Sequence, residues 1–251
     1  MAEPTDVPFA ATATAAQASI SYAPASSGGY HSAAPLARLM IRALWVAAAA
    51  DLVMLWPTVA TFVQRLDSAS SARTFDPMLL SVSIWSQVVL SLATLLALVW
   101  WAMWIWRVYR NLVPLGAEGL AYSPRWAVAY NFIPVVHLFR PFQATREAWR
   151  ASDPRHRGGT SWRDMRVPVF VNLWWATSLL ATTAFAMTWL IDSEDGDRSV
   201  QLAWTTCGIA LVTLRAAEFL LQIAVVRRLT AMQDKRADIV GSTTTTPIPA
   251  H

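Results

Sequence analysis

Charged side chains within apolar stretches are the residues of this sequence best placed to carry chemistry. Asp51 interrupts one apolar run, and Arg215 and Glu218 interrupt another far along the chain. Arg215 and Glu218 stand three residues apart, so they share a helix face on which opposite charges can pair. A charge inside a bilayer costs about 2.5–3.5 kcal/mol on insertion scales, so each needs a partner or a polar cavity. The pattern predicts an intramembrane charge cluster of Asp51, Arg215 and Glu218.

Two interpretations of this charge cluster follow from the sequence. In the first, the charges fix the contact between two helices, and the small residues of Ala47–Ala50 beside Asp51 favour such close packing. In the second, the cluster relays protons or ions, because two carboxylates that share one arginine leave one formal negative charge. Polar residues that could line a path, or make ordinary interhelical hydrogen bonds, are Gln87, Ser91, Thr94, Thr182 and Thr183.

Residues that usually build metal, cofactor or nucleophile sites are sparse. The histidines, at positions 31, 137, 156 and 251, are scattered without ligand spacing, and Cys207 is the only cysteine. Gly158-Gly159 has the character of a turn and does not belong to a phosphate-binding loop. We therefore expect no metal, no cofactor and no catalytic residue, and we interpret the protein as non-enzymatic.

The elements that must position the charge cluster are membrane spans. Of 251 residues, 55% are hydrophobic and 14% charged, whereas soluble domains carry about 25% charged residues. Apolar runs at about 36–64, 78–106, 167–191 and 202–226 are each longer than the ~30 Å hydrocarbon core at ~1.5 Å per residue. The sequence predicts an all-α integral membrane four-helix bundle. The predicted organisation is a disordered tail (1–35), a membrane domain (36–230) with a connector (107–166), and a second disordered tail (231–251).

The basic residues predict how the spans are oriented. Sixteen of the 20 lysines and arginines fall on one side, ten of them in the connector, while only Arg65, Arg73 and Arg198 fall on the other. Because basic loops stay in the cytoplasm, both termini and the connector are predicted to lie there, beneath a bacterial plasma (inner) membrane. The tryptophans form two belts in this topology, as interfacial indoles do. The basic side predicts anionic lipid as a partner, and not nucleic acid.

The connector is too aromatic to be a flexible linker. Ser123-Pro124 predicts a helix start, and Trp126–Phe139 is short for a span, so it is either re-entrant or interfacial. A second, amphipathic helix is predicted from Pro141 to about Ala151. The connector has three interpretations, which overlap. It packs beneath the bundle, it docks on anionic lipid, or it binds a protein or a ligand. We define a basic-aromatic surface by Arg107, Arg110, Trp126, Arg140, Arg146, Trp149 and Arg150.

Motifs in the connector resemble a known family. They include Trp106–Leu112, Tyr122–Val128, Phe132-Ile133-Pro134, Glu147–Pro154 and Trp174-Trp175, in that order. Over roughly Asp76–Thr230 the chain is similar to a bacterial multi-span membrane family catalogued as a domain of unknown function, number four-three-two-eight. The resemblance implies a multi-span membrane protein and supplies no activity, substrate or site residue.

Two functional hypotheses follow. The leading one is a non-enzymatic module that organises or regulates membrane partners, either a second copy of the chain or another membrane protein. The alternative is a small transporter or channel subunit built around Asp51, Arg215 and Glu218.

Overall fold

The computed structural model describes residues 29–66, 76–190 and 198–244 of the chain. The regular secondary structure of these residues is helical. The helices are α1 (Ala34–Leu66), α2 (Pro77–Leu112), α3 (Pro124–Ala129), α4 (Arg140–Ala151), α5 (Val169–Leu190) and α6 (Arg198–Thr244), with short 3-10 turns at Val136–Leu138 and Ser161–Asp164.

The all-α prediction is confirmed, and so are the four predicted long apolar helices. By length and composition α1, α2, α5 and α6 can each cross a membrane. The start of α2 shows how local sequence fixes an element. Asp76 precedes Pro77, and its carboxylate accepts a hydrogen bond from the backbone N–H of Met78 at 2.9 Å. The first N–H groups of a helix have no carbonyl partner within the helix. The Asp76 carboxylate accepts from one of them, and Pro77 has no N–H that would need a partner.

Small and apolar residues at helical spacing hold α1 against α2. Ala37, Met40, Leu44 and Ala47 form a stripe on α1 and are almost completely buried. Leu90, Ala93, Ala97 and Trp104 form the matching buried stripe on α2. Spacing of three and four residues places each set on one helix face.

The spans pack in the order α2, α1, α6, α5. Helix α1 packs along both α2 and α6, and α5 packs along α6. Gly208 marks the close approach of α6 to α1, because a Cβ added there would lie 3.4 Å from Thr58 Cγ2. Small residues let membrane helices approach in this way. Helices α2 and α5 therefore stand at the two ends of a curved row, whose ends meet through the rings of Trp101 and Trp174.

The two ends of the membrane domain differ from the sequence prediction. The predicted tail 231–251 is wrong over 231–244, where α6 continues as a helix. The predicted disordered tail 1–35 is also wrong over residues 29–35, which pack against the rest of the protein. Ser32 Oγ donates to Asp234 Oδ1 at 2.8 Å, and Ala33 is fully buried. The physical reason is that α6 presents buried polar groups beyond the membrane, as described below. Residues 1–28 and 245–251 lie outside the described residues.

The connector starts with the predicted helix and then breaks up. Ser123 caps α3, with its hydroxyl accepting from the N–H of Trp126 at 3.4 Å. The helical part of Trp126–Phe139 ends at Ala129, and only the 3-10 turn Val136–Leu138 follows. Val135 adopts a φ of +64°, a conformation that is unfavourable for a β-branched residue. This geometry gives a loop in place of a re-entrant helix. The predicted second helix is confirmed as α4.

Candidate functional site

Asp51 and Arg215 join α1 to α6 within the membrane-spanning segments. Arg215 Nε lies 3.8 Å from Asp51 Oδ1, and Asp51 is only 1% exposed. Asp51 Oδ2 is buried and has no hydrogen-bond partner among the described residues. The structure thus brings the predicted acid and base together at the contact between the first and fourth spans.

Glu218 has a different partner from the one its spacing predicts. Its Oε1 accepts a hydrogen bond from Ser178 Oγ of α5 at 2.8 Å. Within the described residues, the ion pair that Arg215 makes is with Asp51. Residues three apart differ by about 60° around a helix, so Arg215 reaches α1 while Glu218 reaches α5. The cluster therefore connects three helices in series.

A cavity of about 420 Å³ lies between α2, α5 and α6. Arg215, Glu218 and Ser178 contribute polar groups to its lining. Asn131, His137 and Pro141 of the connector line its other end. The rings that line it belong to Trp101, Trp174, Trp175, Phe185 and Phe219. Five of the nineteen lining residues thus contribute large aromatic rings, and α6 adds a carboxylate and a guanidinium.

The predicted polar path is only partly assembled around this cavity. Thr94 and Thr182 line it. Gln87 instead donates to Ser91 on the exposed side of α2 at 3.3 Å. Thr183 donates to the carbonyl of its own preceding turn. Two of the five predicted polar residues thus line the same cavity as Arg215 and Glu218.

Tryptophans close the connector end of the cavity. The rings of Trp101 and Trp174 lie 5.5 Å apart between centroids, and Phe142 of α4 stacks on Trp175 at 5.8 Å. Trp101 Nε1 donates to Asn131 Oδ1 at 3.2 Å. These contacts tie α5 and the connector to α2 at the membrane boundary, where amphipathic indoles are favourable.

Beyond the membrane, Gln233 of α6 is the centre of a buried hydrogen-bond network. Its Nε2 donates to the carbonyl of Val108 and to Ser152 Oγ, both at 3.1 Å. Its Oε1 accepts from Asn111 Nδ2 at 3.2 Å. Gln233 is fully buried, so each of these groups depends on the others for a partner.

Arg236, one turn further along α6, holds the connector by its backbone. The guanidinium donates to the carbonyl oxygens of Leu115, Pro154 and His156. Sequence reasoning missed both Gln233 and Arg236 because the segment is polar. The signal that could have found them is helical spacing, since Val226, Leu229, Gln233 and Arg236 form one buried stripe.

Glu147 of α4 is a buried acceptor for the connector loop. Its Oε2 accepts from the N–H of Ala121 at 2.8 Å, and its Oε1 accepts from the N–H of Tyr122 and from Tyr109 Oη, each at 3.3 Å. Burial raises the pKa of this carboxyl, although the two amide hydrogen bonds oppose the rise. Glu147 is therefore held by backbone amides and a tyrosine hydroxyl.

Asp153, a second buried acid of the connector, pairs with an arginine. Its Oδ2 lies 2.7 Å from Arg155 Nη2, and the hydrogen bonds from Arg155 lower the pKa of this carboxyl. The two acids differ because Arg155 is two residues from Asp153, whereas Glu147 faces backbone amides.

His156 is a structural histidine of the connector. Its Nδ1 accepts from the N–H of Gly158 at 3.1 Å, so its Nε2 carries the proton and donates to the carbonyl of Ala151 at 3.0 Å. Burial and the nearby Arg236 lower the pKa of His156 below its ordinary value of 6.5. The imidazole is thus held neutral.

Three of the seven residues of the basic-aromatic surface are arginines that lie over aromatic rings. The guanidinium of Arg110 lies 4.7 Å from the ring centroid of Trp106, and that of Arg146 lies 5.3 Å from Phe142. Arg140 lies 6.0 Å from both Tyr122 and Tyr130. Arg107 and Arg150 are half-buried, and Trp126 is exposed. Cation–π contacts of this kind hold the cation at a protein surface.

Trp149 is a correction to that surface. It is only 5% exposed and packs edge-on against Phe170 of α5 at 5.3 Å. Two faces of α4 are buried. Helix α5 covers the face that carries Trp149, and the connector backbone at Ala121 and Tyr122 covers the face that carries Glu147. A group of exposed apolar residues of the connector forms a loop that we call the apolar loop, made of Phe132, Ile133, Val135 and Phe139.

Comparison with known proteins identifies one family. The family model described as "Domain of unknown function (DUF4328)" matches residues 63–231, more than half of the chain. This match confirms the resemblance predicted from the connector motifs. No curated protein and no solved structure matches the chain.

Proposed function

We propose that this chain, which belongs to the DUF4328 family of unknown function, is a non-enzymatic membrane module that organises or regulates partners in a bacterial plasma membrane. The observation that carries the proposal is the surface of the connector. Arginines stacked on aromatic rings lie on the same connector as the exposed apolar loop. A surface of this composition suits an anionic membrane interface and the proteins embedded there.

The interior of the connector supports a scaffold more than an enzyme. Gln233, Arg236 and Glu147 are buried and bonded to backbone and side-chain groups. Polar groups engaged in this way hold the connector in one conformation and are not available to a substrate. A rigid connector keeps its surface in a fixed position relative to the spans.

The lipid part of this proposal has a direct test. Purified protein is melted in detergent with added phosphatidylglycerol or, as control, phosphatidylcholine. We expect anionic lipid to raise the melting temperature more, and the double variant R140Q/R146Q to lose most of that difference. Equal responses to the two lipids would contradict anionic-lipid docking. Substitution of Arg157, an exposed arginine outside the surface, is the matched control.

A second candidate, a small transporter or channel subunit, rests on one specific observation. Arg215 and Glu218 line a cavity between the spans, and charges within spans often mark ion or substrate pathways. Proton or ion flux into proteoliposomes tests this candidate. Flux that disappears in R215Q while thermal stability is retained would favour it over the scaffold.

A further inference from the structure

We propose that the cavity between α2, α5 and α6 is a binding site for lipophilic organic cations, of the class of aryl-substituted phosphonium and quaternary ammonium ions. The inference concerns a ligand site within the spans and does not depend on the function proposed for the connector.

The first argument is the charge on the cavity wall. Asp51, Arg215 and Glu218 together carry a formal net charge of −1. Asp51 lies within ion-pair distance of Arg215 and offsets its charge. Glu218 has the hydroxyl of Ser178 as its hydrogen-bond partner, so its carboxylate is the charge left to attract a ligand. Opposite charges interact strongly where water is excluded.

The second argument is the chemistry of the remaining walls. Three tryptophans and two phenylalanines line the cavity. The faces of aromatic rings carry negative potential and attract cations, tryptophan most of all. Quaternary cations lack a hydrogen-bond donor and are recognised through such ring faces. The guanidinium of Arg215 also lines the cavity, but Asp51 offsets its charge. An anion of the same shape is therefore disfavoured by the ring faces and by the carboxylate of Glu218.

The third argument is size and access. A volume of about 420 Å³ falls in the range of about 300–1,000 Å³ that is typical of small-molecule sites. Helices α2 and α5 both line the cavity, but they are not among the helix pairs of the described residues that pack extensively. We therefore infer that a ligand dissolved in the bilayer enters between these two helices.

Two hydrophobic ions of similar shape and opposite charge test the proposal on the wild-type protein. Tetraphenylphosphonium is titrated into purified protein in detergent, with tryptophan fluorescence and equilibrium dialysis as readouts and protein-free micelles subtracted. We expect saturable binding of tetraphenylphosphonium and at least about tenfold weaker binding of tetraphenylborate. Equal or tighter binding of the borate, or no saturable binding of the phosphonium, would overturn the proposal.

Substitutions then locate the site. The variant E218Q is expected to bind tetraphenylphosphonium about tenfold more weakly or worse. The matched control is E118Q, the same chemical change at an exposed connector residue, which is expected to bind like wild type. W175L, which removes one ring from the wall, is expected to weaken binding even if E218Q does not fold. Unchanged affinity in folded E218Q, or in W175L, would overturn the proposal.

Discussion

The guanidinium of Arg236 donates through Nε to the carbonyl oxygen of Leu115 at 2.9 Å. Leu115 lies just after the end of α2, and Arg236 lies on the extension of α6 beyond the membrane. The same side chain also donates to the carbonyls of Pro154 and His156. A single arginine thus links the last helix to both ends of the connector.

This relationship predicts that R236A is strongly destabilising. Removal of the guanidinium leaves buried carbonyl oxygens without donors, at about 1–3 kcal/mol for each unsatisfied group. We expect a clear drop in the melting temperature of the detergent-solubilised protein. The control is K235A at an exposed neighbouring position, and a similar drop in both variants would count against the role of Arg236.

Truncation tests the helical extension of α6. A chain that stops after Thr230 loses Gln233 and Arg236, whereas one that stops after Thr244 keeps both. We expect the first to be less thermally stable and more susceptible to proteolysis within the connector, and the second to behave like the full chain. Equal stability of the two would mean that 231–244 contributes little, as the sequence first suggested.

His156 predicts a dependence of stability on pH. Because its pKa in the folded protein is lowered from 6.5, its contribution is present above about pH 6.5 and is lost as the pH falls through the folded-state value. Burial and Arg236 disfavour the charged ring, while Asp153 opposes them. We expect the melting temperature to fall on acidification, and less so in H156N.

The comparison between variants isolates the histidine. Glu147, whose pKa is raised, acts with the opposite sign and is common to both proteins. H137N, at the half-buried histidine beside the cavity, is the control. If H156N kept the full wild-type pH dependence, His156 would not be its source.

Asp51 and Arg215 should be energetically coupled. Replacing Asp51 by Asn leaves Arg215 without its ion-pair partner, and an unpaired charge within a span costs about 2.5–3.5 kcal/mol. We expect D51N and R215Q each to lower the melting temperature, and the double variant to be less destabilised than the sum of the two. Strict additivity would show that the 3.8 Å contact has no structural role.

The orientation derived from the arginines is tested by cysteine labelling. After replacement of Cys207, a single cysteine is placed at exposed Thr160 of the connector or at Ser70 between the first two spans. An impermeant maleimide on intact cells is expected to label S70C and not T160C. Labelling of T160C without permeabilisation would reverse the topology.

The sequence predicts those helices whose position follows from the length of an apolar run. The uncharged runs predict the start of α2 to within one residue and both ends of α5 to within two, whereas α2 continues to Leu112, beyond the predicted end at 106. Such runs are informative because a span must satisfy every backbone group internally. Spacing also predicted that Asp51 and Arg215 meet. It could not predict that Glu218 turns toward Ser178, because the rotation of each helix depends on packing with all its neighbours.

The connector shows where such reasoning stops. Polarity predicts that Gln233 and Arg236 belong to a tail, because polar residues usually face water, yet both bind buried carbonyl and amide groups. Trp149 was assigned to a surface because α4 has polar positions, but those positions include Glu147, which is itself buried. Both errors arise from buried polar contacts between segments distant in sequence.

Site-specific photo-crosslinking in native membranes tests the central claim, that the connector organises membrane partners, most directly. A photoreactive phenylalanine replaces Phe132 or Phe139 of the apolar loop, or Leu96 on the exposed apolar face of α2 as control. We predict a discrete protein adduct, to another membrane protein or a second copy of the chain, from the loop positions and not from Leu96. Adducts with lipid alone from the loop positions would contradict the claim.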